Sequence, residues 1–518
     1  MRQNHRAVAV TATLHSHWVQ FSYFLLALMT AAVVVSLVLF MASPSQAAGP
    51  RYQHLSLEEK YASANEVRKL KKEKDNVVSG RTPLSSGSAV LDEYYDKYLF
   101  RAMSRLSNLG RVSGWRREIL KDLTSTKSPA VHKYIVDKVL GGIAIRMVLP
   151  KNKFNPAVRY NLVLLFGQLN QQEGSNSELP IPQLSFRKDL SVIGGLIKLY
   201  ENPDQVDAVR VAAMLGLRRH VEIRTQLTGS AKLGPQDAEA VTKLALDLAT
   251  AQQPPAGRNP SGHDWMRRRA VEILGTLGSA EKDDEIEKAL TEILSGVENT
   301  IALRCMASNA LGQIKLEKSD EKANLLSRAI VQVGASACDS EVARLDEMFD
   351  APSGGMMGEM GGYSMAQSMP GRGMMDDDSY FDGEEEGRQP RRRVVEITDL
   401  RTVETRRRLI HQLRCVKRGL TGKYKEQGVV QLASGEMQEI IEGMAKQLDN
   451  VLDKLFEPET VLEALTEDLR EEAVRLTSVA NGAMPDVIAS SATPADAEDF
   501  TDGVDADALE GDDDFIEF

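Results

Sequence analysis

The chain has 518 residues, a formal net charge of −11, 26% charged residues and only 5% aromatic residues. The length allows about three ordinary domains, but abundant charge with few aromatics suits an exposed helical array rather than a β-sandwich or a large enzyme core. The acidic balance also argues against tracking a phosphate backbone, so no nucleic-acid partner is expected.

Residues 1–47 read as a targeting segment. Arg2 and Arg6 give a positive start, Phe21 to Ala42 is an apolar run, and Ser45 and Ala47 place small residues at −3 and −1 of a cut after Ala47. The run is also long enough to span a bilayer. A cleaved signal peptide and an uncleaved N-terminal anchor are therefore both compatible with it, and both imply an exported, periplasmic or extracellular chain. Membrane contact is expected only through residues 21–42.

Residues 48–88 read as an N-terminal helix and a linker. Ser56-Leu57-Glu58-Glu59 resembles a capped helix start, and Ser79 to Ser88 is rich in Ser, Gly and Pro. From 89 to 350 helical periodicity runs almost throughout, with no alternating strand, so the fold class is all-α.

Within that span a phrase recurs four times. It reads Val158-Arg159…Leu162…Phe166-Gly167…Leu169, then Val209-Arg210…Ala213…Leu217. The later copies are Met266-Arg267…Ala270…Leu274-Gly275…Leu277 and Leu303-Arg304…Ala307…Leu311-Gly312…Ile314. The aliphatic places fall on one stripe of a 3.6-residue helix, and Asn155-Pro156, Asp207 and Asp264 offer N-cap acceptors just upstream. Each phrase is expected to be the second helix of a pair, with first helices at about 129–148, 187–201, 235–251 and 283–296. A unit that cannot bury its apolar face alone must stack on its neighbours. Two intervals exceed a unit of about 40 to 47 residues, and the excess falls in loops at 171–183 and 250–262.

The phrase Val-Arg-x-x-Ala-x-x-x-Leu-Gly with an upstream Asp or Asn resembles the second helix of HEAT-type repeats, over about residues 110–350. The copy at Val209 departs from it by carrying Arg218 in place of the final Gly. The resemblance implies a curved α-solenoid of helix pairs whose inner surface holds a protein partner.

Composition changes after Asp350. Residues 351–392 combine Met, Gly and an acidic run from Asp376 to Glu386, and read as a disordered insertion. Residues 393–482 return to helical texture as a terminal helical cap. In the tail, 483–518, eleven acidic residues follow Ser490 with no Lys or Arg, a like-charge block expected to stay unfolded and to act in interactions.

No metalloprotease, serine-hydrolase, phosphate-loop or paired-cysteine metal motif is present, so catalysis, cofactors and metal ions are not expected. The Met-rich insertion offers soft ligands suited to Cu(I), but filler in a low-complexity linker accounts for it as well. Cys305, Cys338 and Cys415 form no disulfide framework, although a single bridge between Cys305 and Cys338 is open.

The arginines divide in two. Arg159, Arg210, Arg267 and Arg304 hold a fixed place in the phrase and are assigned to repeat stacking. Arg218, Arg219, Arg268 and Arg269 vary between copies and are assigned to an acidic protein partner. The acidic tail, or the run Asp376 to Glu386, is expected to fold back on these basic surfaces and screen them from a partner. The functional expectation is an exported non-enzymatic scaffold or protein-binding module, with an accessory or regulatory subunit of an envelope enzyme, or a metal-handling protein using the Met-rich loop, as the alternatives.

Overall fold

The computed structural model describes residues 52–350, 400–457 and 462–483, apart from 176, 188, 189, 282, 425 and 426. The targeting segment, the Met-rich insertion and the acidic tail lie outside the described residues.

The described chain is all-α. Helix α1 is Ala64–Val78, and α2 runs from Leu84–Asp92 through a wide π segment, Glu93–Leu99, into Phe100–Met103. Leu84–Ser88, read above as linker, therefore opens a helix behind Pro83, and only 79–83 lies between the two. Helix α3 is Val112–Ser125, and α4 joins Pro129–Tyr134, a π segment Ile135–Ala144 and Ile145–Val148. Then come α5 (Pro156–Gln168), α6 (Val192–Glu201), α7 (Asp207–Arg224), α8 (Pro235–Thr250) and α9 (Pro260–Ala280). The series ends with α10 (Asp284–Ser295), α11 (Ile301–Leu311), α12 (Asp320–Asp350), α13 (Leu400–Thr421), α14 (Gly435–Phe456) and α15 (Leu462–Ala480).

The four phrases lie on α5, α7, α9 and α11, and these helices pack in series: α3 on α5, α5 on α7, α7 on α9, α9 on α11 and α11 on α13. The first helices α6, α8, α10 and α12 form a second layer, each touching the next. Helices α12 and α13 thus extend both layers as a further pair, and the Met-rich segment lies in sequence between its two members. Helices α14 and α15 pack on α12 and on one another and close that end.

The stripe residues explain the layering. Val158, Leu162, Phe166, Val209, Ala213, Leu217, Met266, Ala270, Leu274, Leu303, Ala307 and Leu311 are all buried, within one apolar core that runs through both layers. Small residues then set how close the helices come. A β-carbon built on Gly167 would lie 2.5 Å from the Cα of Gly216, and one on Gly275 would lie 2.9 Å from the β-carbon of Ala310. On Gly312 it would lie 2.2 Å from the Arg418 carbonyl and 2.8 Å from the Cα of Gly419. The glycines of the phrase are therefore contact points between successive second helices.

The caps differ from expectation in two copies. Asn155 caps α5 by accepting from the Ala157 amide, with Pro156 in the first turn. Asp207, however, is the first residue of α7 and takes Arg210 and Arg258 as partners. Asp264 lies inside α9, whose cap is Asn259, and accepts from the Thr300 hydroxyl at 2.8 Å. Both carboxylates therefore tie elements together instead of ending a helix.

The two long loops are structured. In the first, Asn170–Gln172 pairs antiparallel with Ile181–Pro182; just beyond it Ser185–Arg187 pairs with Leu190–Ser191, so the helix expected from about 187 begins at Val192. These are the strands of the described chain, and they are too short for an alternating pattern to register in the sequence. The second loop is held by Arg258, which reaches Asp207, and by His263, whose Nε2 lies 2.7 Å from the Ala251 carbonyl.

His220 on α7 is fully buried with no hydrogen-bond partner at either ring nitrogen. Burial, with the nearby Arg219 and Arg224 charges, pushes its pKa down to about 3. The unfolded chain binds a proton at this site below pH 6.5 and the folded chain does not. Stability is thus complete above that pH and falls on acidification by about 1.4 kcal/mol per pH unit between roughly pH 6 and 4. His220→Leu should abolish this component of the pH dependence and raise the melting temperature at pH 5. Thermal scans of both proteins from pH 4 to 8 check it, and parallel curves would contradict it.

Candidate functional site

The phrase arginines share a position and, in three copies, a task. Arg210 donates from Nε to the Tyr200 carbonyl and from Nη2 to that of Asn202, at the C-terminus of α6. Arg267 donates to the Ala249 carbonyl near the end of α8 and Arg304 to the Leu294 carbonyl near the end of α10. In each case a guanidinium on the second helix caps the first helix of its own pair, where orphan carbonyls and the negative end of the helix dipole favour a cation. Arg267 also reaches Asn299 in the following pair at 2.8 Å. Arg159 is buried with Nε and Nη2 unpartnered, and Gln205 takes the Val148 carbonyl at the end of α4 instead.

The arginines that vary between copies are placed differently. Arg218 meets Glu272 of the next second helix at 3.1 Å. Arg219 reaches back to the Gly167 carbonyl and to Asn170 Oδ1 of the previous unit. Arg269 pairs with the same Glu272 and lies 5.0 Å from the centre of the Trp265 ring. Arg268 points elsewhere and pairs with Asp264.

Arg218, Arg219 and Arg269 line a groove that crosses the second-helix layer. One hollow, of about 390 Å³, lies over α3, α5, α7 and α9 and includes Arg116, Tyr160, Leu164, Gln168, Leu215 and Trp265. A second, of about 560 Å³, continues over α9, α11 and α13 with Met306, Asn309, His411, Arg418, Lys423 and Tyr424. The two share Arg218, Glu222 and Arg269 and so form one furrow.

Its wall obeys the repeat. Six places after the first aliphatic of each phrase stand Leu164, Leu215, Glu272 and Asn309, and ten places after it stand Gln168, Arg219, Thr276 and Gln313; all eight line the groove. Of these eight only Arg219 is singled out by the sequence, because the phrase marks its buried stripe and not the face beside it. Trp265 escapes notice for the same reason, while Arg116, Arg418, Lys423 and Tyr424 lie outside the phrase helices and reach the groove only through tertiary packing.

The groove carries a positive surplus: Arg116, Arg218, Arg219, Arg269, Arg418 and Lys423 stand against Glu222 and Glu272. Arg218 and Arg269 share one carboxylate, so Glu272 cannot neutralise both. Gln168 Oε1, Asn309 Oδ1 and Gln427 Oε1 are buried in the wall without a hydrogen-bond partner, while Leu164, Leu215 and half-buried Trp265 supply apolar surface. This combination can hold an extended acidic chain, with guanidinium groups for carboxylates and apolar surface for side chains.

Other chemistry is limited. Cys305, Cys338 and Cys415 are buried free thiols, and burial raises Cys338 to about 12 and Cys305 well above the usual thiol range. Cys415 Sγ lies 3.9 Å from His411 Nε2 at the groove wall. Among the described residues no group of three His, Cys, Asp or Glu side chains is placed to hold a metal ion, and no helix is long and apolar enough to cross a membrane. The Met-rich segment, with its thioethers, is outside the described residues. No protein-family model, no curated protein and no solved structure matches this chain.

Proposed function

We propose that this chain is a non-enzymatic, HEAT-type scaffold, exported from the cytoplasm, that holds an extended acidic stretch of a protein partner in the second-helix groove. The observation that carries the reading is the furrow itself: successive repeats present the same two places to it, and its cations outnumber its carboxylates. The recurrent phrase on paired, two-layered helices supports the HEAT type. The spread of polar groups along the furrow, in place of a convergent cluster at one point, favours binding over catalysis.

Photo-cross-linking tests it. Benzoylphenylalanine at Tyr160 or Tyr424 should capture partner protein in the producing cells, whereas Leu325, 68% exposed on α12, should not. Arg269→Gln combined with Lys423→Gln should cut the groove adducts at least ten-fold, and raised salt should weaken them because exposed charges are screened over about a Debye length. Equal capture from Leu325 and from the groove would overturn the proposal.

A further inference from the structure

We propose that the groove is occupied in the free protein by the chain's own acidic C-terminal segment, residues 496–518, so that a partner must displace it. This rests on the acidic-ligand reading of the groove.

Three observations converge on this segment. The first is charge: it carries eleven carboxylates with no Lys or Arg, and the groove is the surface on which arginines of successive repeats accumulate with too few carboxylates. The second is the apolar pattern. Phe500, Leu509, Phe515, Ile516 and Phe518 are interspersed among the acidic residues, and the groove alternates its cations with Tyr160, Leu164, Leu215, Trp265, Met306 and Tyr424. A purely acidic chain would gain only screened Coulomb energy there, whereas these side chains can bury apolar area between the arginines.

The third observation is where the chain emerges. A β-carbon on Gly482, two residues beyond α15, would lie 3.1 Å from the Arg328 guanidinium on α12. Two residues along α12, Ile330 approaches to 3.2 Å of the same construction on Gly419, the neighbour of groove residue Arg418. The described chain therefore ends about one helix width from the α13 end of the furrow, and residues 484–495 lead from there to the acidic block. From α13 to α3 the groove spans five helix-to-helix steps, about 50 Å at 8–10 Å each. Residues 496–517 reach about 70 Å when extended, so the acidic block can cover the whole furrow, entering over Tyr424 and running towards Arg116.

The test uses the full chain with benzoylphenylalanine at Phe515, and adducts are located by mass spectrometry. Intramolecular adducts are expected on groove residues of α5, α7, α9, α11 and α13 at least ten-fold over those on the first helices α6, α8 and α10. Arg269→Gln with Lys423→Gln should remove that preference, as should 0.5 M salt, where the Debye length falls to roughly 4 Å. Even labelling of both layers, adducts only between two copies, or a pattern indifferent to salt would each overturn the proposal. Replacing all eleven tail carboxylates by amides should raise partner capture at Tyr160 several-fold, and unchanged or reduced capture would count against displacement. Groove adducts of the tail with no partner captured would remove the scaffold reading alone. Partner capture with an evenly labelled tail would remove only the tail docking.

Discussion

Replacing Gly167 or Gly312 with Val is expected to destabilise the array by more than about 3 kcal/mol, and at Gly312 to prevent α13 from seating on α11. Overpacking a core commonly costs about 1–3 kcal/mol when flexible side chains can give way. Here the obstruction is backbone on both sides: the Cα of Gly216 at 2.5 Å from a Gly167 β-carbon, and the Arg418 carbonyl at 2.2 Å from one on Gly312. Neither atom can rotate aside, so the two helices must separate and expose the stripe that holds them together. Gly195 on α6 is the matched control, since a β-carbon there meets nothing within 4 Å. Gly195→Ala should be neutral or stabilising by about 0.5–1 kcal/mol, the usual difference between Gly and Ala inside a helix. Urea denaturation and amide hydrogen exchange would read all three variants. Gly167→Val behaving like Gly195→Ala would mean that the second helices do not rely on close approach.

The same seam shows which parts of the molecule the sequence exposes. The buried stripe was legible because burial imposes a period: Val158, Leu162 and Phe166 repeat at helical spacing, and their counterparts do so in each copy. The role of the phrase glycines was half legible, since a small residue at a fixed place implies crowding without naming the neighbour. Gly216, which lies within the Val209 copy but at none of its recurring places, and Gly419, which lies outside the phrase, bear no local mark. The short strand pairs at 170–191 were illegible because two or three residues carry no alternation.

The groove was less legible for a different reason. Arg218, Arg219 and Arg269 stood out because they broke the pattern, and they do reach the furrow, but Arg268 broke it equally and turns to Asp264 one turn back on its own helix. Which of three adjacent arginines faces inward depends on about 100° of helical phase per residue, and that phase is fixed by which stripe is buried. Counting from the stripe, the sixth and tenth places give Leu164, Gln168, Leu215, Arg219, Glu272, Thr276, Asn309 and Gln313. Tyr424 and Lys423 could not be reached this way, because they follow α13 and arrive at the furrow by tertiary packing across the 351–399 segment. Position in the fold, more than residue type, separates a capping arginine from a groove arginine.

Lys74→Met is expected to be the most damaging single change in the N-terminal helices, and its rescue by further substitution is the informative part. Lys74 is 1% exposed on α1, and its ammonium lies 2.7 and 2.8 Å from the two carboxylate oxygens of Asp122 on α3. Tyr95 of α2 donates to the same carboxylate at 2.7 Å, while Tyr94 donates to Glu118 at 2.6 Å. Burial opposes the charge on Lys74, and the adjacent Asp122 more than offsets it, so the ammonium is held above its ordinary range. Burial also lifts the Asp122 carboxyl, against the downward pull of Lys74 and Tyr95. Removing the lysine alone strands a buried carboxylate, an effect of about 3–5 kcal/mol. Replacing the whole set by apolar side chains strands nothing, so K74M/Y95F/D122L should recover most of the loss. Because contacts in a stacked array are between neighbours, the effect should concentrate in α1, α2 and α3 and leave α9 to α11 protected. Hydrogen exchange resolved by segment distinguishes these outcomes. A triple variant as unstable as Lys74→Met would show that the buried ion pair contributes net stability, and uniform loss of protection along the chain would show that the repeats unfold as one unit.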